Sequence, residues 1–289
     1  MGSFDKSRAE NVAGNFFVDS TCIDCNTCRW MAPEVFARVG DQSAVTQQPE
    51  GDGEILRTAQ ALVACPTASI GMLEKSPLLK EAVHSFPHPI RENVYHCGYH
   101  IENSFGAASY FISSDYGNML IDSPRFAAPL VRNIEKLGGI KTMLLTHIDD
   151  VGDHEKFQKH FGCERLIHRG DLGKLEGIEI VLEAKEPVQL NPDLKIIPVP
   201  GHTEGSIVFL YQDRFLFSGD HLAFSNSLRH FHAFKGACWY SWDELKHSMR
   251  RLASFPFQFL LPGHGNSWSG SFEEAAEQME KCLQWMEQT

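Results

Sequence analysis

Short apolar runs alternate with polar stretches along most of the chain, and several of the runs end on a group able to bind metal. Leu144-Leu145-Thr146 leads into His147, and Ile196-Ile197-Pro198-Val199-Pro200 leads into His202. Phe215-Leu216-Phe217 leads into Asp220, and Phe257-Gln258-Phe259-Leu260-Leu261 leads into His264. Runs of this length bounded by Gly and Pro read as buried strands. Between them lie segments of helical spacing: Leu78 to His84, Phe126 to Leu137, Asp153 to Phe161, Ser241 to Ala253 and Phe272 to Met286. Asp153 is placed to cap its helix, and Ser241 with Glu244 three residues on makes a capping box. The pattern from about His88 onward therefore alternates strands and helices. Residues 1–75 form a separate small unit, and a Pro-containing polar connector follows, with Pro77, Pro87 and Pro89.

Imidazoles and carboxylates at the ends of strands make a rigid, open site for a first-row metal such as zinc, iron or manganese. The residues that qualify are His147, Asp153, His154, His202, Asp220 and His264. Any one of these alone reads more readily as an ordinary histidine or aspartate. Their occurrence as an ordered set favours a site.

The first unit carries a second signal. Cys22, Cys25 and Cys28 form C-x-x-C-x-x-C, and Cys65-Pro66 follows after 36 intervening residues. Thiolates at this spacing take three corners of an iron–sulfur cube, and a distant Cys-Pro supplies the fourth. With no second triplet, one [4Fe–4S] cluster is the natural count. A structural zinc with four cysteines takes two C-x-x-C pairs, which are absent. Cys97, Cys163, Cys238 and Cys282 match no spacing and read as buried or idle thiols in a reducing compartment, with Cys238, beside Trp239, Tyr240 and Trp242, kept as a redox candidate.

Both units resemble known families. The cysteine triplet with Ala61 to Ile70 is similar to single-cluster bacterial-type ferredoxins. Residues from about Pro87 to Asn266 resemble the metallo-β-lactamase-fold superfamily, which includes glyoxalase II and the flavodiiron proteins. The carrying motifs are His147 to His154, Gly-His-Thr-Glu-Gly-Ser around His202, Phe-Ser-Gly-Asp ending on Asp220, and Pro-Gly-His-Gly around His264. Ala108 to Ile112 and Met119 to Ser123 look like the first hairpin of that fold. The resemblance implies an α+β ferredoxin-like domain over residues 1–75, a linker over 76–89, and an α/β domain over 90–289 built as an αββα four-layer sandwich.

It also implies roles. His147, Asp149 and His202 would hold one divalent metal, zinc or iron. Asp153, His154 and His264 would hold a second, and Asp220 would bridge them. Asp153 and His264 would be catalytic, orienting a metal-activated water and stabilising the leaving side. The family's usual H-x-H-x-D-H is altered here, with two residues inserted and a carboxylate, Asp149 or Asp150, in place of the middle histidine. On strand geometry Asp149 fills that slot and Asp150 points away.

The leading function on this reading is a metal-dependent hydrolase of an ester or thioester-type bond, acting on a small molecule. The alternatives are a non-haem iron oxidoreductase fed electrons by its own ferredoxin unit, with a redox partner, or a sensor of redox state or iron. The fusion is similar to a cyanobacterial and plastid type, which implies the chloroplast stroma or the cytoplasm. A net charge of −11 with no basic stripe argues against nucleic acid. No apolar run approaches the ~20 residues of a membrane span.

Overall fold

The computed structural model describes residues 1–289. The first unit is built from β1 (Phe16–Val18), α1 (Thr27–Met31), β2 (Phe36–Val39), β3 (Gln42–Val45), α2 (Gly51–Ala64) and β4 (Ile70–Met72). β1 pairs antiparallel with β4, and β2 with β3. Phe16, Val18, Val35, Phe36, Val45, Leu62 and Ile70 close a small core around Cys28 and Cys65. α3 (Leu78–His84) follows, over the residues whose spacing predicts it.

Next comes a seven-stranded mixed sheet of β5 (His88–Arg91), β6 (Val94–His96), β7 (Tyr110–Ile112), β8 (Met119–Ile121), β9 (Thr142–Leu144), β10 (Glu164–His168) and β11 (Ile180–Leu182). The four strands β8 to β11 run parallel. Helix α4 (Ala128–Lys136) joins β8 to β9 and α5 (His154–Phe161) joins β9 to β10. A six-stranded sheet then orders β12 (Val188–Asn191), β13 (Leu194–Pro198), β14 (Ile207–Tyr211), β15 (Phe215–Gly219), β18 (Phe259–Pro262) and β19 (Trp268–Ser269). The hairpin of β16 (Ala223–Ser225) and β17 (His230–His232) and helix α6 (Trp242–Leu252) lie between β15 and β18, and α7 (Phe272–Glu287) ends the chain.

Strand side chains alternate between faces, and here both faces are apolar. Tyr110, Ile112, Met119 and Ile121 meet Ile196, Phe209, Phe215 and Phe217 between the two sheets. Their neighbours Phe111 and Leu120 turn outward to Leu130, Ile134 and Phe157 of α4 and α5. Ile197, Val208, Leu210 and Leu216 turn the other way, to Leu245 and Met249 of α6 and Met279 and Cys282 of α7. The result is helix, sheet, sheet, helix. A strand buried on both faces reads as a continuous apolar run, which is why the strands stood out.

The residues expected to connect the two units do more than connect. Segment 76–89 contains α3 and the start of β5, and Ala82 and Phe86 are buried with Ala59 and Val63 of α2 against the outer face of the first sheet. The two units therefore share a core. A full capping box occurs at α7, on Ser271 and Glu274; at α6 the Ser241 hydroxyl accepts from Glu274's counterpart, the Glu244 amide, at 3.2 Å. No helix is long and apolar enough to cross a membrane.

Candidate metal centre

The parallel pairing of β15 with β18 sets the site. It puts Gly219 opposite Pro262, so Asp220 and His264 leave adjacent strand ends together. The His264 Nδ1 lies 2.7 and 2.8 Å from the two Asp220 carboxylate oxygens. Between them Gly263 is obligatory, because a Cβ there would lie 2.7 Å from Asp150 Oδ2 and 2.9 Å from Asp220 Oδ1. That same contact shows that the Asp150 and Asp220 carboxylates converge.

His147 and His202 complete the cleft, with ring centroids 4.7 Å apart and planes nearly perpendicular. The His147 Nε2 is 3.9 Å from both Asp150 Oδ2 and Asp220 Oδ2. The His202 Nε2 is 3.4 Å from Asp149 Oδ2 and 3.9 Å from Asp220 Oδ2. Two groups thus have ligand atoms within 4.8 Å of one another: His147, Asp149 and His202, and His147, Asp150 and Asp220.

The donor set fits cations. Both oxygens of Asp150, the Nε2 of His147 and both ring nitrogens of His202 are buried without a hydrogen-bond partner. Buried polar atoms are normally satisfied, and an unpaired buried carboxylate is costly. Imidazole nitrogens and carboxylate oxygens gathered around one point, with none of them bonded to protein, are what a metal satisfies.

Surrounding residues aim these ligands. Asp122 accepts from the Thr146 amide at 2.8 Å and from its hydroxyl at 2.9 and 3.0 Å. The Thr146 hydroxyl in turn accepts from the His147 Nδ1 at 2.9 Å. This chain fixes the tautomer and leaves Nε2 facing the cleft, as outer partners of metal-bound histidines do. Asp171 ties two loops together. It accepts from the Ile148 amide at 3.0 Å, the Gly205 amide at 2.7 Å and the Thr203 hydroxyl at 2.5 Å. Neither Asp122 nor Asp171 was singled out by the sequence, since both act through tertiary contacts. Trp239 donates its amide to the His202 carbonyl at 2.8 Å and is 67% exposed at the mouth, its ring 6.4 Å from that of His202.

The electrostatics follow from burial and crowding. Burial opposes a charge on His264, but the Asp220 carboxylate outweighs it and lifts the imidazole to about 10. Burial also opposes ionisation of Asp220, yet His264 and then His147 hold its carboxyl below the ordinary range. Asp150 moves the other way, raised first by burial and then by the Asp220 charge. Burial takes His147 down to about 4, so it is neutral and ready to ligate at neutral pH.

Asp153 and His154 are not brought to this site. The Asp153 carboxylate accepts from the Phe126 amide at 2.8 Å and pairs with Lys156 at 2.7 Å. The His154 Nδ1 faces Arg165 at 3.1 Å, a cation that disfavours a metal beside it. Asp150, and neither of them, lies in one group with His147 and Asp220. Ile148 to Asp150 form a 3-10 turn, in which residues three apart eclipse, so Asp150 lies over His147 while Asp149 swings to His202. The expectation that Asp150 points away rested on strand geometry, which the chain has already left. Lys235 bonds the C-terminal carbonyl of Thr289 and lies over the Trp242 ring.

In the first unit, Cys22, Cys25, Cys28 and Cys65 line one cavity with Thr27, Ser43, Thr67 and Ser69. None of the four is in a disulfide. The Ser69 amide donates to Cys65 Sγ at 3.3 Å. Burial pushes the Cys25 and Cys28 thiols up.

Comparison with known proteins agrees with both halves. Residues 18–72 match the 4Fe-4S single cluster domain of Ferredoxin I. VMB-1 superposes with a TM-score of 0.53 at 18% identity, over 69% of this chain and 95% of that one. The DIM-1 metallo-β-lactamase gives 0.51 at 19% identity, over 67% and 95%.

The chain joins a single-cluster ferredoxin domain to a metallo-β-lactamase fold.

The lactamase-fold half is also similar to the hydroxyacylglutathione hydrolase of Rhodospirillum rubrum, 31% identical over 150 residues. That match covers 50% of this chain and 56% of the relative, so the chain spans about half the length of the curated protein it matches.

Proposed function

We propose that the protein is a metal-dependent hydrolase of a small acyl substrate, an ester or thioester, carrying a [4Fe–4S] cluster on Cys22, Cys25, Cys28 and Cys65. The observation that carries the reading is the bare carboxylate of Asp150 converging with Asp220 and His147. His147, Asp149, His202 and Asp220 would hold one metal, and Asp150, Asp220 and His264 would hold a second, with Asp220 common to both. Divalent ions bound there supply Lewis acidity towards an acyl carbonyl and acidify water. Three carboxylates among six ligands add hard oxygen, which favours iron or manganese alongside zinc.

The chain's own residues do the rest. The Asp122–Thr146–His147 chain and the Asp171 clasp hold the ligands in place before substrate arrives. Trp239 and Tyr240, both exposed beside His202, offer an apolar wall at the mouth. His264, 17% exposed and hydrogen-bonded to Asp220, stands on the open side of the cleft, where a leaving group would depart. The named activity of the Rhodospirillum rubrum relative supports an acyl–glutathione bond as the first substrate to try. The test is hydrolysis of a hydroxyacylglutathione and of an activated aryl ester by metal-loaded protein. Turnover abolished in Asp220→Ala and retained in Asp153→Asn is the result expected. Equal turnover in wild type and Asp220→Ala would sink the reading.

A further inference from the structure

One short turn separates the cluster cysteines from the metal centre. Gly106 packs against Cys25 so closely that a Cβ would lie 2.9 Å from Cys25 Cβ and 3.0 Å from its Sγ. The preceding residue, Phe105, presents its carbonyl to His264 Nε2 at 3.4 Å and its ring to the imidazole at 6.0 Å. The turn is clamped from both units. The Gly106 carbonyl accepts from His100 Nδ1 at 2.7 Å and from the Thr27 hydroxyl, beside Cys28, at 3.3 Å. Asn26 donates to Asn266, two residues after His264, at 3.3 Å. Phe105 sits at φ 46, a conformation a bulky residue adopts only when its surroundings enforce it. From Cys25 Sγ through Gly106 and Phe105 to His264 the path is on the order of 10 Å, by ordinary backbone dimensions.

Nothing in acyl hydrolysis uses such a connection. We propose that the Phe105–Gly106 turn is an electron path, making the cluster the one-electron partner of a redox-active metal held by His264 and Asp220. This rests on the metal reading given above. A low-potential one-electron donor reduces the cluster. Phe105–Gly106 then passes the electron to the His264 side, so that one cluster is reoxidised for each ferric ion that becomes ferrous. No proton or bond changes hands in the step. The short contact with Cys25 explains why position 106 carries no side chain, and the clamps explain why the turn keeps its strained shape.

The experiment is electron paramagnetic resonance on the full chain. Protein loaded with zinc or with cobalt(II) is reduced with dithionite, and the metal content of each sample is measured. Cobalt is expected to raise the microwave power that half-saturates the reduced-cluster signal severalfold over zinc. In iron(III)-loaded protein, the reduced-cluster signal should fall as the ferric signal falls, one for one. Gly106→Val, which forces the turn off Cys25, should slow that exchange severalfold. Metal bound in full, with identical cluster saturation in the cobalt and zinc samples and ferric ion left unreduced, overturns the electron path alone. Metal absent from every sample overturns it together with the metal reading. The cobalt–zinc comparison needs only wild-type protein, so it holds even where Gly106→Val fails to fold.

Discussion

Asp150→Asn should move stability in opposite directions with and without metal. The carboxylate is 1% exposed, neither oxygen has a hydrogen bond, and Asp220 stands beside it. In metal-free protein this is a buried carboxyl without a hydrogen-bond partner, and burial and Asp220 both oppose its ionisation. Relieving an unsatisfied buried group is worth about 1–3 kcal/mol, and a domain of this size gains roughly 2–4 °C in Tm per kcal/mol. Metal-free Asp150→Asn should therefore melt a few degrees above wild type. With metal the sign reverses. A ligand at a hundred times its Kd adds about 2.7 kcal/mol, and a variant lacking one carboxylate forfeits most of that. The pH dependence also has a definite sign. Asp150 has its folded pKa raised, so between the ordinary carboxyl value and the raised one the folded state holds more protons than the unfolded. Metal-free wild type then loses stability as pH rises through that window, and Asp150→Asn loses less. The assay is thermal unfolding of chelated and reloaded protein at several pH values. A metal-free Asp150→Asn that melts lower than wild type, with an undiminished response to metal, would refute the assignment and make Asp150 an ordinary structural residue.

Four further outcomes are expected. Cys25→Ser should lose iron, sulfide and visible charge-transfer absorption while the lactamase-fold half keeps its metals, measured by elemental analysis and absorbance. Thr146→Val cuts the link between Asp122 and the His147 Nδ1, and should weaken metal binding about 10–100-fold in a competition titration, while metal-free stability falls by about 1–3 kcal/mol for the partners left unpaired. Asp149→Ala should lower occupancy around His202, whereas Asp153→Asn should leave metal content unchanged. Because His264 is lifted to about 10 in metal-free protein, metal must displace its proton; affinity should rise by about tenfold per pH unit across the neutral range, with a proton released on binding.

The sequence made the fold and most of the centre readable for a physical reason. Strands buried on both faces write unbroken apolar runs, and His147, His202, Asp220 and His264 each follow one directly. Convergence of those ends needed only the parallel pairing of β15 and β18. The expected ligands that the fold places elsewhere, Asp153 and His154, follow the point where the chain leaves strand geometry. A single 3-10 turn at Ile148–Asp150 changes which side chains share a face, and brings Asp150 beside His147 and Asp220 instead. Asp122, Asp171 and the Phe105–Gly106 turn act across contacts between residues far apart in the chain, and local spacing carries no trace of those.

The central claim is that six side chains, His147, Asp149, Asp150, His202, Asp220 and His264, form a two-ion centre in the same molecule as a cysteine-held cluster. Iron, sulfide, zinc and manganese per chain, determined on anaerobically purified wild type and Asp220→Ala, test it most directly. The account predicts the complement of one 4Fe-4S cluster in both proteins, with divalent metal beyond it in wild type and largely lost from Asp220→Ala. Wild type holding cluster iron alone, or Asp220→Ala keeping the same extra metal, would contradict it.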